Sequence, residues 1–399
     1  MSRLADLIAQ LCPDGVEYKP LGELLVYQQP TPFLVSSKDY DPSYPTPVLT
    51  AGATFLLGYS SETHGVYAAS TDDPVIIFDD FTTASKWVDF PFKLKSSAAK
   101  ILTAADPSVA DIRFLYFLMQ TIKYQVGSHA RHWIAVYSKM PVCCPPLEVQ
   151  REIVRILDQF TELEAELEAE LEARRAQYEH YRTHLLSYDS LAARGPVEMV
   201  NLGDVALRVV TGVTPQASNA RYYEGGSNPW IRTQDVNFNR ISVASEFVTD
   251  AAIDELPLKW VKANCVIVAI SGASAGRSAL LGIDAVTNQH CCNLEIDPKR
   301  ADYRYVYYSI AARYNELRSL GRGARGDLNV SIIKSFEIPL PSVDQQSAVA
   351  DLLDHFDALV NDISSGLPAE IAARRAQYEH YRDRLLSFPE KRVSDRDAS

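Results

Sequence analysis

Apolar residues recur in steps of three and four, and once seven, over residues 147–187: Ile153, Leu157, Phe160, Leu163, Leu167, Leu171, Tyr178, Tyr181 and Leu185. No Pro or Gly interrupts the run, which predicts one amphipathic helix with a coiled-coil seam. About 41 residues at ~1.5 Å rise make a rod of ~60 Å, and its apolar stripe needs a second helix. A similar stretch at 345–388 is interrupted by SSGLP at 364–368, which predicts a stop and a restart. Short β-branched runs, PVIIFDDF at 74–81 and CVIVAIS at 265–271, predict strands. DIRFLYFLMQTIKYQV at 111–126 and YRYVYYSIAARYNELRSL at 303–320 predict helices.

The chain is written twice. ARRAQYEHYRTHLLSY at 173–188 returns as ARRAQYEHYRDRLLSF at 373–388, with thirteen of sixteen positions identical. Ahead of it, PPLEVQREIVRILDQF at 145–160 matches PSVDQQSAVADLLDHF at 341–356, aligning Gln150 with Gln346 and Phe160 with Phe356. VEYKPLGEL from Val16 matches VEMVNLGDV from Val197. So long a period signals a two-fold duplication rather than a solenoid. Residues 22–140 and 203–335 share little that aligns, although each reads as a mixed α+β block with a curved sheet. Leu163–Ala173 reads LEAELEAELEA, a tetrad whose Leu stripe drifts around a helix of 3.6 residues per turn.

These features resemble the specificity subunits of type I restriction–modification enzymes over essentially the whole chain. The second block carries TGVTPQASNARYYEGGSNPWIRTQDV at 211–236, ISGASAGRSALL at 270–281, VTNQHCCNLEI at 286–296 and LNVSIIKSFEIPLPSVDQQ at 328–346. Their order is similar to that of the family. The tetrad, the RRAQYEHYR helix and the first-block phrases VLTAGATFLLGYSSETHGVY and FDDFTTASKWVDF look most like the IC branch. The resemblance implies an α+β, pseudo-two-fold duplicated chain: two target recognition domains of mixed α/β structure separated by a long antiparallel pair of helices, a coiled coil. The expected boundaries are an N-terminal segment 1–15, recognition domains 16–145 and 197–341, helical spacers 146–188 and 342–389, a linker 189–196 and a tail 390–399. Each domain would read one half of a gapped double-stranded DNA site. The helices would set the spacer and dock two methyltransferase subunits, joined by motor-nuclease subunits. S-adenosylmethionine, ATP and magnesium would sit on those partners, with no cofactor or metal in this chain. A stand-alone DNA-binding or scaffold protein is the other reading, and an enzyme fused to a recognition module a third.

The net charge of −12 argues weakly against a nucleic-acid partner, but its distribution alters that picture. Residues 197–341 carry 15 basic and 15 acidic residues, so the excess acid lies elsewhere. A phosphate senses the local field, within about 8–10 Å. Candidate DNA contacts in the first block are Tyr59, His64, Thr82, Thr83, Lys86, Trp87, Lys93, Lys95, His129, Arg131 and His132. In the second they are Arg221, Tyr222, Tyr223, Arg232, Gln234, Ser274, Arg277, Asn288, Gln289, Arg322, Arg325 and Asn329. These types reach base edges or hold phosphates. VGSHARHW and GRGARGDLN occupy the same place ahead of each closing phrase. Arg174, Arg175, Tyr178 and Tyr181, with Arg374, Arg375, Tyr378 and Tyr381, are candidates for the partner interface, being types enriched there.

Enzyme motifs fail. GASAGRS at 272–278 is one residue short of a P-loop and has Arg for Lys. NPW at 228–230 lacks the second Pro of an amino-methyltransferase motif. His180 and His184 are not repeated as a pair, since Arg384 replaces the latter in the second copy. Asp79–Asp80 suits a turn cap or a basic neighbour better than a cation. The six cysteines include no C-x-x-C and read as buried thiols. With no signal peptide and no transmembrane-length apolar run, the expectation is a cytoplasmic, non-catalytic protein.

Overall fold

The computed structural model describes residues 3–52, 54–126, 130–322, 326–361 and 366–391. They fall into two units: residues up to Leu167 with those from Ile371 onward, and Glu168–Glu370.

In the first unit the strand Val75–Asp79 is buried throughout. Its alternate side chains enter two cores. Ile76 and Phe78 join Phe114, Trp133, Val149, Ile153 and Leu157, while Val75 and Ile77 join Leu49, Phe92 and Ile101. A strand covered on both faces reads as one apolar run, which is what the sequence shows. It lies inside an antiparallel sheet ordered Leu25–Gln28, Ala99–Ala104, Val75–Asp79, Ser85–Val88. A second sheet is ordered Leu56–Ser60, Thr46–Leu49, Lys93–Leu94. Glu17–Pro20 pairs with Pro141–Cys144 and closes the block.

The second unit repeats this plan where the sequences no longer align. Ala206–Thr211, Cys291–Ile296, Val266–Ala269, Ser278–Leu281 and Arg240–Ile241 form the larger sheet. Glu246–Val248, Asn228–Ile231 and Val286–Thr287 form the smaller. Glu198–Asn201 pairs with Glu337–Leu340. The helix predicted in 111–126 is Ile112–Thr121, and the one in 303–320 is two, Tyr303–Ala312 and Tyr314–Ser319.

The long helix is Leu147–Leu185, and the boundary between units cuts it after Leu167. The second copy is Val343–Asn361 and Leu367–Leu385, interrupted where SSGLP predicts. The two copies of the repeat helix are exchanged between the units. In the first unit Tyr381, from the second copy, stacks on Phe160, with centroids 5.7 Å apart. In the second, Tyr181, from the first copy, stacks on Phe356 at 5.6 Å.

The N-terminal segment forms a helix, Arg3–Leu11. Beside it the chain ends meet: Val16 N donates to Pro389 O at 3.0 Å and Lys391 N to Val16 O at 2.9 Å. Gly15 makes this possible, since its φ is +93° and a Cβ there would lie 2.5 Å from Pro389 O. Among the described residues no helix is long and apolar enough to cross a membrane.

Candidate nucleic-acid interface

In the first unit Thr82 and Thr83 occupy the turn between Val75–Asp79 and Ser85–Val88. Asp79 Oδ1 accepts from Phe81 N at 2.9 Å and caps that turn. Thr83 has φ +61°, an uncommon conformation for a β-branched residue. Asp80 turns inward, where Oδ2 lies 3.2 Å from Lys100 Nζ, both side chains 2 % exposed. Its Oδ1 accepts from Trp133 N at 2.8 Å, and its carbonyl from His132 N at 2.9 Å. The 131–133 segment is thereby bound to the turn, with Arg131 exposed beside it.

Other first-block candidates lie elsewhere. Lys93 is buried, 3.0 Å from Glu62 Oε2 and donating to His64 O at 2.7 Å. His132 is buried, 3.2 Å from Tyr124 Oη. The charge of Lys93 thus serves the unit's interior and holds the loop that presents exposed His64. Lys86 and Trp87 lie on Ser85–Val88 and are half-buried, with the Arg113 guanidinium 4.5 Å over the indole. Half-buried Lys95 and Tyr59 flank the smaller sheet, Lys95 Nζ 5.6 Å over the Tyr40 ring. His129 and Arg325 lie outside the described residues.

In the second unit Ser274 and Arg277 sit on the turn that corresponds to Thr82 and Thr83. Arg277 Nη1 donates to Asn237 Oδ1 at 2.9 Å. Asp327 Oδ1 accepts from Gly272 N at 3.0 Å, and Leu328 N donates to Ile270 O at 2.8 Å, so Asp327 and Leu328 are bound to this turn. Asn329 caps the helix Val330–Ser335 through Ile332 N at 2.9 Å.

A second cluster runs from Tyr223, edge-on to Trp230 at 5.9 Å, to Arg232, 5.7 Å over that indole and 3.2 Å from Glu246. The Arg232 Nε is buried without a hydrogen-bond partner among the described residues. Burial pushes the Tyr223 hydroxyl above its usual range. Asn288 is buried and its Oδ1 accepts from His290 N at 3.1 Å, leaving Gln289 exposed and bonded to Thr214. Exposed Gln234 follows Arg232. Arg221 stands apart, paired with Glu255 at 2.5 Å, as does Tyr222, which donates to the same carboxylate at 3.2 Å. Asn237 and Thr214 were not foreseen; their roles come from partners 40 and 75 residues away.

Five of the six cysteines are buried and Cys144 is half-buried. Burial pushes the Cys143 and Cys292 thiols up to about 12, far from the thiolate that chemistry needs.

On the repeat helices Tyr178 is buried and Tyr378 half-buried, while Tyr181 and Tyr381 are about two-fifths exposed at 38 % and 39 %. Each tyrosine therefore contributes to the helix seam. Arg174, Arg175, Arg374 and Arg375 are exposed. Arg174 pairs with Glu170 at 3.4 Å, Arg175 with Glu172 at 2.8 Å and Arg375 with Glu164 at 2.5 Å.

Residues 195–373 match the family model for the type I restriction modification DNA specificity domain. A type I restriction enzyme specificity subunit of Escherichia coli is 40% identical over 404 residues, covering 98% of each chain. A putative type I restriction enzyme specificity subunit of Haemophilus influenzae is 29% identical over 296 residues, 69% of this chain and 72% of that one. In fold, the chain is similar to the S subunit of a type I restriction–modification system from M. genitalium, with TM-score 0.60 and 12% identity over 93% of this chain and 96% of that. A chain from a structure describing complex assembly and conformational transition of the type I R-M system gives TM-score 0.57 at 16% identity, covering 94% and 98%. The duplicated plan, the exchanged repeat helices and this full-length identity lead to one conclusion: the chain belongs to the family of type I restriction enzyme specificity subunits.

Proposed function

We propose that this chain is the DNA-recognition subunit of a type I restriction–modification complex and carries no catalytic group of its own. One observation supports this above the others. A single architectural plan is built twice, and each copy ends on the same solvent-facing helix sequence. A two-fold repeated surface is what two copies of one partner require. Those partners are two methyltransferase subunits, and motor-nuclease subunits complete the assembly. Each unit reads one half of a gapped site. The exposed or half-exposed candidates Thr82, Thr83, Lys86 and Arg131 serve one half. Gln234, Ser274, Arg277, Gln289 and Arg322 serve the other. Buried Lys93, His132 and Asn288 position the loops that carry these contacts. The exposed arginines of the repeat helices belong to the partner interface.

The test is a genome-wide map of N6-methyladenine with and without the gene. A two-part gapped motif is expected to vanish on deletion. A map that does not change would overturn the proposal. The tetrads give a second expectation. Removing Leu163–Glu166 takes ~6 Å from the helix, against ~3.4 Å per base pair. The gap in the methylated motif is expected to shorten by one or two base pairs with both half-sites unchanged. An altered half-site would contradict the helix as spacer.

A further inference from the structure

Each unit holds two candidate DNA loops together with the same pair of bonds. One is backbone to backbone: His132 N to Asp80 O at 2.9 Å in the first unit, Leu328 N to Ile270 O at 2.8 Å in the second. The other runs from a backbone N–H to a carboxylate: Trp133 N to Asp80 Oδ1 at 2.8 Å, and Gly272 N to Asp327 Oδ1 at 3.0 Å. The carboxylate comes from opposite sides. In the first unit it belongs to the hairpin turn, in the second to the segment ahead of the closing phrase. Two sequences that do not align here have thus arrived at one connection by different residues.

The loops so joined carry side chains of complementary use. The turn brings Thr82 and Thr83, or Ser274 and Arg277. The other segment brings Arg131, or Arg322. Asp327 also fixes Arg322 through its backbone, since Arg322 N donates to Asp327 O at 2.9 Å and Asp327 N to Arg322 O at 3.1 Å. Gly321 permits the close approach of Gly326, because a Cβ there would lie 2.2 Å from Gly326 O. Gly272, whose amide donates to the carboxylate, has φ +72°, a conformation that favours glycine. A bond from an N–H to an ionised acceptor is stronger than a neutral one. Asp327 is half-exposed, and its carboxylate lies outside the apolar cores. Its bond does more to set two loops in register than to stabilise the unit.

We infer that Asp327 and Asp80 are positioning residues for sequence discrimination: each carboxylate clamps two loops into one reading surface without itself touching DNA. Pre-ordered loops lose less freedom on binding, and side chains on joined loops are held close to the geometry that base edges demand. The inference rests on the proposed recognition role.

The experiment uses the full chain assembled with its methyltransferase subunits. Affinities are measured for duplexes with the mapped site and for duplexes altered in one half-site. Asp327→Ala is expected to lower discrimination at the half-site read by the second unit by about tenfold, the scale of one good base contact. Discrimination at the other half-site and the melting temperature stay as in the wild type. Asp327→Asn keeps an oxygen acceptor and is expected to retain most of the discrimination, a rescue that a general loss of charge would not show. In the first unit D80A/K100M is expected to lose discrimination at its own half-site, while D80N/K100M keeps it. Unchanged discrimination in Asp327→Ala, or equal loss at both half-sites, would overturn the clamp. A wild-type complex that binds every duplex alike would instead overturn the recognition role and the clamp with it.

Discussion

Lys100→Met is expected to destabilise the first unit by about 3–5 kcal/mol, the cost of breaking a buried ion pair from one side. Lys100 is 1% exposed and Asp80 also 1%. The ammonium lies 3.2 Å from Asp80 Oδ2 and 4.6 Å over the Tyr27 ring. Without it, the carboxylate keeps the Trp133 amide but loses its counter-charge while staying buried. Asp80→Ala fails from the other side, leaving an ammonium with an aromatic face and no anion. In a unit of this size each kcal/mol moves the melting temperature by about 2–4 °C, so a fall of about 6–20 °C is expected. K100M/D80N removes both charges and keeps the Trp133 acceptor, and is expected to recover most of the loss, since neutral replacements of buried pairs are often tolerated. Thermal unfolding of the four chains forms a double-mutant cycle. A loss below about 1 kcal/mol in Lys100→Met would show that the pair is solvated in solution. The second unit needs no such pair, because the second residue of its corresponding strand is Cys292, buried and uncharged.

That contrast shows what the sequence carried and what it concealed. The long helix was legible because its apolar residues keep a helical period for 39 residues, whatever covers them in each unit. Its duplication was legible at the ends of each block, where the same helices must meet the same strands. Between those ends the shared plan was hidden. Strands buried on both faces lose the alternation that fixes their register, and their order depends on pairings as distant as Ala206–Thr211 with Cys291–Ile296. The exchange of repeat helices was hidden for a different reason: two nearly identical helices give no local signal for which unit each joins. The helix Arg3–Leu11 carries a helical period of apolar residues at positions 4, 7, 8 and 11, but over little more than two turns. Among the candidate contacts, Lys93 has the composition of a phosphate ligand. Its burial follows from Glu62, 31 residues earlier, whose carboxyl pKa is lowered by the Ser37 amide and by Lys93. Sequence types suggested which residues suit DNA; only tertiary pairing distinguished those that face outward from those that hold the loops.

Gln150→Ala is expected to cost about 2–4 kcal/mol, because one buried side chain satisfies three backbone groups at once. Gln150 is fully buried. Its Oε1 accepts from Asp111 N at 2.8 Å, and its Nε2 donates to Val109 O at 2.9 Å and Pro145 O at 2.7 Å. Gln346 repeats this with Asp302 N at 2.9 Å and Pro341 O at 2.8 Å. Each Gln therefore joins the last strand of its block, the first turn of the helix that follows, and the Asp that caps Ile112–Thr121 or Tyr303–Ala312. That capped helix carries Arg113, 2.8 Å from Asp158, or Arg304, 2.8 Å from Asp354, back onto the same helix. Losing the Gln loosens both ends of this connection. Amide exchange is expected to quicken in 17–20 and 141–144 for Gln150→Ala, and in 198–201 and 337–340 for Gln346→Ala. Gln150→Glu separates hydrogen bonding from size. As a carboxylate it accepts from Asp111 N but faces two carbonyl oxygens, so its folded pKa rises above the unfolded value. The acid form, able to donate, is favoured at low pH, and the variant is most stable there. It weakens as pH rises through the raised pKa and falls to or below Gln150→Ala at neutral pH. Equal stability of wild type and Gln150→Ala would mean that water replaces the amide at all three groups, which a site closed to solvent does not allow.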